Sequence, residues 1–315
     1  MPRLSVILPV RNGEDTIARA VTSTRRALPA DAELVIFDDG STDSTPALLR
    51  SFESPSVRVI TSPAGVGVGV ATALNTLIDR TDSEFIARMD ADDVTLAGRF
   101  GYQRRAISPG AAVNFTTVLE WRPDARRVRP AAPLPISARA FPYHLLMTNP
   151  ASHPTLFATR AALVRVGGYR QVPAEDYDLW LRLAIEGIGI RRLAMPTLLY
   201  RMHPQQVTSS LEWRHASWTD QSVAAAFGTL SAMLLGRPFS RLVSLGFDAA
   251  VGPQEVERAL ADFAARLETA IADLPPWDRR ILMRRLAGRC EAVRAMRRTV
   301  ESGVSAPQPP PETVR

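Results

Sequence analysis

The feature that most limits what this chain can fold into is an alternation of two periods across its first ninety residues. Leu4–Val10 is an apolar run of strand length, followed by polar turn residues Arg11-Asn12-Gly13 and by helical spacing from about Glu14 to Leu28, with Ile17, Ala20, Val21 and Leu28 as its apolar positions. Glu33–Asp38 repeats the strand, and Ser41 or Asp43 can cap a helix running to Phe52. Val57–Thr61 is a third, short strand, Gly67 to Ile78 is helical, and Glu84–Met89 is a fourth strand. Strands alternating with helices of this length predict a parallel α/β sheet with right-handed crossovers. Ligands of such sheets sit beyond the carboxyl ends of the strands. Asn12, Asp38-Asp39 and Asp90-Ala91-Asp92-Asp93 each follow a strand and obey that rule.

From Ala111 to about Ile136 the pattern stays strand-like but is broken by prolines, with Val113–Trp121 the best strand. Residues 137–170 are mixed, Asp176–Glu186 is an amphipathic helix, and Ile188–Leu193 and Leu198–Met202 are short strands. After Ser210 the composition turns to alanine, leucine and arginine with helical spacing, over about Trp213–Leu235, Gln254–Ala272 and Pro276–Glu301. The expected organisation is therefore one domain over 1–208, a helical appendage over 209–302 and a disordered, proline-rich tail over 303–315.

Composition removes several classes. All 38 basic side chains are arginine, so neither Schiff-base chemistry nor a Walker lysine is available. The single cysteine, Cys290, excludes a disulfide framework and a cysteine-built metal site and suits a reducing compartment. No apolar run approaches the ~20 residues of a spanning helix. Met1-Pro2-Arg3 runs directly into a strand, so a cytoplasmic chain without a secretory leader is expected. The net charge of +6 is local: within 279–298 eight arginines stand against Glu291 alone. A nucleic-acid partner is therefore not expected of the rest of the chain. The segment carries Ile281, Leu282, Leu286, Val293 and Met296 on its apolar side, which admits two readings. It packs on the domain with a solvated arginine face, or it makes peripheral contact with anionic lipid at the inner membrane face.

Three carboxylates within Asp90–Asp93 repel one another, and a fold keeps them together when a cation or a hydrogen-bond network compensates. Hard oxygen ligands in an open site suit Mg²⁺ or Mn²⁺ completed by substrate phosphates; the alternative is a solvated acidic turn. In Asp38-Asp39-Gly40-Ser41-Thr42-Asp43 a carboxylate can accept from a base N–H or ribose hydroxyls, while Asp43 caps the helix. Glu175-Asp176-Tyr177-Asp178 opens a helix, where acidic residues are favoured by the dipole and where one carboxylate could also be a general base. Gly65-Val66-Gly67-Val68-Gly69 matches neither common phosphate-loop pattern and reads as a flexible strand-to-helix loop. His153 and His203 each read first as structural, although His203 follows a short strand and could add an imidazole to the metal.

Together these segments resemble the family 2 glycosyltransferases of GT-A fold, over about residues 3–208. The likeness lies in order and spacing: Ser5–Gly13, Asp38–Asp43, Arg88-Met89-Asp90-Ala91-Asp92-Asp93, His153-Pro154-Thr155, Val166-Gly167-Gly168-Tyr169, Glu175–Arg182 and Tyr200-Arg201-Met202-His203-Pro204. The resemblance implies an α/β, Rossmann-like nucleotide-diphospho-sugar transferase fold. It implies that Pro9, Asp39 and Asp90 hold the nucleotide, with Asp38 supporting the turn. Asp92 and His203 would contact a Mn²⁺ or Mg²⁺ bridging the donor diphosphate. Asp176 would be the base, with Asp178 the alternative, and His153, Gly167, Gly168, Glu175 and Trp180 would lie at the donor or acceptor sugar. The implied reaction is an inverting transfer from a nucleoside-diphosphate sugar to a hydroxyl of a sugar or lipid-linked acceptor, in cell-surface polysaccharide or glycoconjugate synthesis. Two departures stand out. Arg11 occupies a position usually aromatic in the family, where a guanidinium can also stack on a base, and no basic residue lies between Arg58 and Arg80, leaving Gly65–Gly69 or Arg88 to meet the phosphates. A sugar-nucleotide pyrophosphorylase and a non-catalytic binding module are the competing readings.

Overall fold

The computed structural model describes residues 2–131, 134–203, 206, 210–248 and 250–301. Four strands, β1 (Leu4–Val10), β2 (Ala32–Asp38), β3 (Val57–Thr61) and β4 (Phe85–Arg88), pair in parallel. Their crossovers are α1 (Ile17–Ala27), α2 (Thr45–Phe52) and α3 (Val70–Asp79). The register sets Val10 beside Asp38 and Ile7 beside Arg88, so the polar residues after β1, β2 and β4 emerge at one edge. Of the two expected caps, Asp43 accepts from the Thr45 N–H (2.9 Å), whereas the Ser41 hydroxyl accepts from the Asn12 N–H (2.9 Å).

The sheet continues as a mixed one. After β5 (Val94–Thr95) and α4 (Arg99–Arg105) come β6 (Val113–Arg122), β7 (Arg127–Pro130), α5 (Phe141–Leu145), β8 (Phe157–Thr159), α6 (Arg160–Arg165), α7 (Glu175–Ile185) and β9 (Ile190–Arg201). The strand order is β3-β2-β1-β4-β8-β6-β9-β5, with β7 a hairpin on β6. The two strands expected over 188–202 are one. Its pairing with β6 jumps from Leu193 to Pro196, and this bulge absorbs Ala194 and Met195 beside a proline that cannot donate to a ladder. β9 thereby ends against the acidic turn, where the Asp93 carboxylate accepts from the Arg201 N–H (2.8 Å).

Five helices follow: α8 (Leu211–Thr219), α9 (Gln221–Leu235), α10 (Leu242–Phe247), α11 (Pro253–Ala270) and α12 (Pro276–Glu301). The helix expected over 213–235 divides at Asp220, whose carboxylate accepts from the Val223 N–H (2.9 Å) and caps α9. The core lies on both faces of the sheet. Leu4, Val6 and Leu8 pack under α1, while Ile7 joins the other face with α3 and α7, as the period of a doubly covered strand requires. That second cluster runs without a break from Trp180 on α7 to Phe227 on α9, Phe263 on α11 and Leu282 on α12. The helices after residue 209 thus share a buried cluster with one face of the sheet.

The apolar side of α12 is covered, with Ile281, Leu282, Leu286 and Val293 buried. Of its arginines, Arg294 pairs with Glu257 (2.7 Å), Arg297 donates to the Asp248 carbonyl and Arg279 to the Ala272 carbonyl, while Arg280, Arg284 and Arg298 are exposed. The packed reading of this helix holds, and its apolar side is not offered to a bilayer. Among the described residues no helix is long and apolar enough to cross a membrane. Pro204 and the expected tail over 303–315 lie outside the described residues.

Candidate active site

Beyond the carboxyl ends of β1 and β4 opens a cavity of about 590 Å³. Its walls bring together Arg88, Asp90 and Asp92 from the end of β4, His153 from the turn before β8, Glu175 and Asp176 from the start of α7, and Tyr200 and His203 from the end of β9. Residues more than a hundred positions apart in sequence therefore meet. Asn149, Trp213, Arg214 and Arg241 complete the wall, and no motif marks them.

The carboxylate of Asp176 is held on both oxygens. Asn149 Nδ2 donates to Oδ2 and the Tyr177 N–H donates to Oδ1, each at 2.7 Å. Burial raises its pKa above the ordinary carboxylate range against these bonds. Beside it, burial and then the charge of Asp176 push Glu175 up to about 7. His153 sits between supports: Nε2 is 2.9 Å from the Tyr169 hydroxyl, Nδ1 is 3.7 Å from Glu175, and the ring stands edge-on to Trp180 at 5.5 Å. Trp180 itself is completely buried, packed also on Phe115 at 4.7 Å, and does not line the cavity. It is placed to orient His153 and cannot meet a sugar as the sequence suggested.

Asp178 also faces away. It is fully buried and ion-paired with Arg182 (2.8 Å), which donates onward to the carbonyls of Val166 and Gly168. The alternative base is thus a buried anchor. Through Arg182 it fixes the turn at Gly167 and Gly168, both at positive φ. Neither glycine lines the cavity. The turn is tied from the other side by Asn75 on α3, which accepts from the Tyr169 N–H and donates to the Tyr169 carbonyl, each at 2.8 Å.

At the metal-binding candidates, His203 Nε2 lies 3.2 Å from Asp92 Oδ2. Among the described residues no group of three or more histidine, cysteine or acidic side chains is placed to hold a metal ion. One carboxylate and one imidazole nonetheless fit Mn²⁺ or Mg²⁺, because such ions complete their shell with water and substrate phosphate oxygens. Asp90 instead pairs with the buried Arg88 (2.9 Å).

Of the nucleotide candidates Asp90 is in the cavity wall, while Pro9, Arg11, Asp38 and Asp39 lie outside it. Asp38 is buried and accepts from the Ser41 N–H (3.1 Å), supporting its turn as expected. Asp39 accepts from the N–H groups of Val68 (2.6 Å) and Gly69 (3.1 Å). Two of the loop amides offered for phosphates are thus engaged with Asp39, and the guanidinium of Arg11 lies against Gly67. Arg88 is the cation the structure leaves facing the cavity near the acidic turn. Pro9 is part-buried in β1, opposite Phe37.

The mixed sheet flanked by helices, with further helices at its C-terminal end, is a fold of GT-A type. The chain belongs to glycosyl transferase family 2, whose family model matches residues 5–165. It is 25% identical over 217 residues to the amylovoran biosynthesis glycosyltransferase AmsE of Erwinia amylovora, covering 67% of this chain and 80% of that one. Its fold is similar to that of TarS of S. aureus, solved with UDP-GlcNAc (TM-score 0.58, 18% identity, 96% of this chain and 93% of that one). It is also similar to the mannosyltransferase PcManGT of Pyrobaculum calidifontis, solved with GDP-Man and Mn²⁺ (TM-score 0.52, 18% identity, 94% and 87%).

Proposed function

We propose that this glycosyltransferase moves a sugar from a nucleoside-diphosphate sugar to an acceptor hydroxyl by a single, inverting displacement. The observation that carries the reading is the placement of Asp176: a carboxylate fixed on both oxygens, on the wall of the cavity that also holds Asp90, Asp92 and His203. Asp176 takes the proton from the acceptor oxygen as that oxygen bonds to the anomeric carbon, and the bond from that carbon to the donor diphosphate breaks with its electron pair going to the diphosphate. Asp92 and His203 would hold a Mn²⁺ or Mg²⁺, which supplies electrostatic stabilisation of the leaving diphosphate. Arg88 adds fixed positive charge near the same end, and Asp38 and Asp39 order the loops where the nucleotide would seat. His153 and Glu175 shape the wall beside the sugars, with the Gly167-Gly168 turn behind it.

AmsE carries the name of a polysaccharide-synthesis enzyme. A like role at the cytoplasmic face, on a sugar or lipid-linked acceptor, is the biological setting we infer; the single unpaired Cys290 agrees with a reducing compartment. The test is Asp176→Asn. Nucleotide binding, read by thermal shift with UDP or GDP and Mn²⁺, should persist, while donor turnover falls by roughly 10²–10⁴-fold. Full activity in that variant overturns the assignment of the base.

A further inference from the structure

Arg241 is a largely buried cation that no carboxylate among the described residues pairs with. The residue is only 7% exposed and lines the cavity wall. One nitrogen donates to the Ser217 carbonyl (2.6 Å), and the guanidinium carbon lies 5.0 Å from the centre of the Tyr177 ring. Among the described residues no carboxylate pairs with it, and no other hydrogen-bond partner takes its remaining N–H groups. A guanidinium has five N–H donors in a fixed fork. Buried charges are ordinarily paired, because leaving water uncompensated costs several kcal/mol. A second guanidinium, Arg214, is also buried and lines the same cavity, and Trp213 beside it offers an apolar plane.

We infer that Arg241, with Arg214, forms an oxyanion-recognition subsite for the acceptor, and that the acceptor carries a phosphate or carboxylate near its reacting hydroxyl. The inference rests on the proposed displacement. In a single in-line step the attacking oxygen and the leaving diphosphate stand on opposite sides of the anomeric carbon. The diphosphate end is marked by Asp92 and His203. Arg241 lines the same cavity and stands over Tyr177, the residue next to Asp176, and on this reading it takes the side of attack. Its fork presents parallel donors to a planar carboxylate or a phosphate, the geometry in which charge-assisted hydrogen bonds are strongest.

The full chain, with UDP or GDP and Mn²⁺ in excess to fill the diphosphate end, is titrated calorimetrically with glucose 6-phosphate, glucuronate and glucose. An anionic sugar should bind about tenfold or more tightly than glucose, as charge-assisted hydrogen bonds of this kind imply. The stronger of the two anionic arms distinguishes phosphate from carboxylate. Arg241→Gln should erase the preference and Arg241→Lys should retain part of it. Equal affinity of the wild type for anionic and neutral sugars overturns the inference with no variant needed, as does a preference that survives Arg241→Gln in a protein that melts cooperatively. An active Asp176→Asn enzyme would instead sink the catalytic reading while leaving any anion preference intact, so the two failures are separable.

Discussion

Glu175 and Asp176 are adjacent carboxyls in one poorly hydrated wall, and their protons come off as a pair. Both stand above their ordinary range, Glu175 at about 7. A base must be ionised to accept a proton, so the acid limb of kcat/KM should lie above the ordinary carboxylate range. Removing one charge of the pair with Glu175→Gln should move that limb to lower pH, which a pH–rate profile reads directly. Stability runs the other way. A carboxyl whose folded pKa is raised binds more protons in the folded than in the unfolded chain between its ordinary value and about 7, so stability declines as pH rises through that window. Glu175→Gln should accordingly raise the melting temperature by a few degrees at pH 8 and by much less at pH 4.5. Asp176 was legible in the sequence because it opens a periodic helix in a distinctive acidic run. Asn149, which holds it, was not: a lone asparagine in a segment without periodicity carries no signal until the fold brings it 27 positions along the chain to its partner.

Among the elements, α7 shows how one helix can serve core and site at once. Its first turn presents carboxylates to the cavity while Asp178 and Arg182, one turn apart, build a buried clamp on the Gly167-Gly168 turn. Arg182→Met removes the fork that spans a carboxylate and two carbonyls, leaving Asp178, among the described residues, with only Arg170 at 3.7 Å. Breaking a buried pair of this kind costs about 3–5 kcal/mol, and differential scanning fluorimetry should show a drop of several degrees. Gly168→Ala meets a different obstacle, since φ is +67° and a Cβ there would collide with the Asn75 amide. It should lower stability by about 1–3 kcal/mol. The sequence disclosed α7, the parallel strands and the long C-terminal helices, whose periodicity extends over enough residues to register. It did not disclose β5, α4 or β8, which are too short to show a period, and it divided β9 in two because the alternation of its apolar residues is interrupted at the bulge.

For the whole molecule, the continuous cluster from Trp180 to Leu282 makes the division near residue 208 a boundary of composition and not of packing. Calorimetry of the full chain should show a single unfolding transition, and a 1–208 fragment, stripped of Val223, Phe227 and Leu230 against α7, should not yield soluble, cooperatively folded protein. The same packing reduces the lipid reading of α12 to its exposed arginines. If charge alone draws this face to membranes, Arg280→Glu with Arg284→Glu should cut flotation with anionic vesicles severalfold, and equal flotation removes the idea. That the C-terminal helices would wall the cavity was not readable beforehand, because Trp213, Arg214 and Arg241 lie in a region whose sequence announces only helix. One joint couples two loops that are far apart in sequence. The paired bonds from Asn75 to Tyr169 fasten α3, whose leading loop engages Asp39, to the turn whose next anchor is Arg182 and the start of α7. The loop that engages Asp39 and the turn anchored by Arg182 are thus tied through a single amide side chain, so that a change at Asn75 is felt at both.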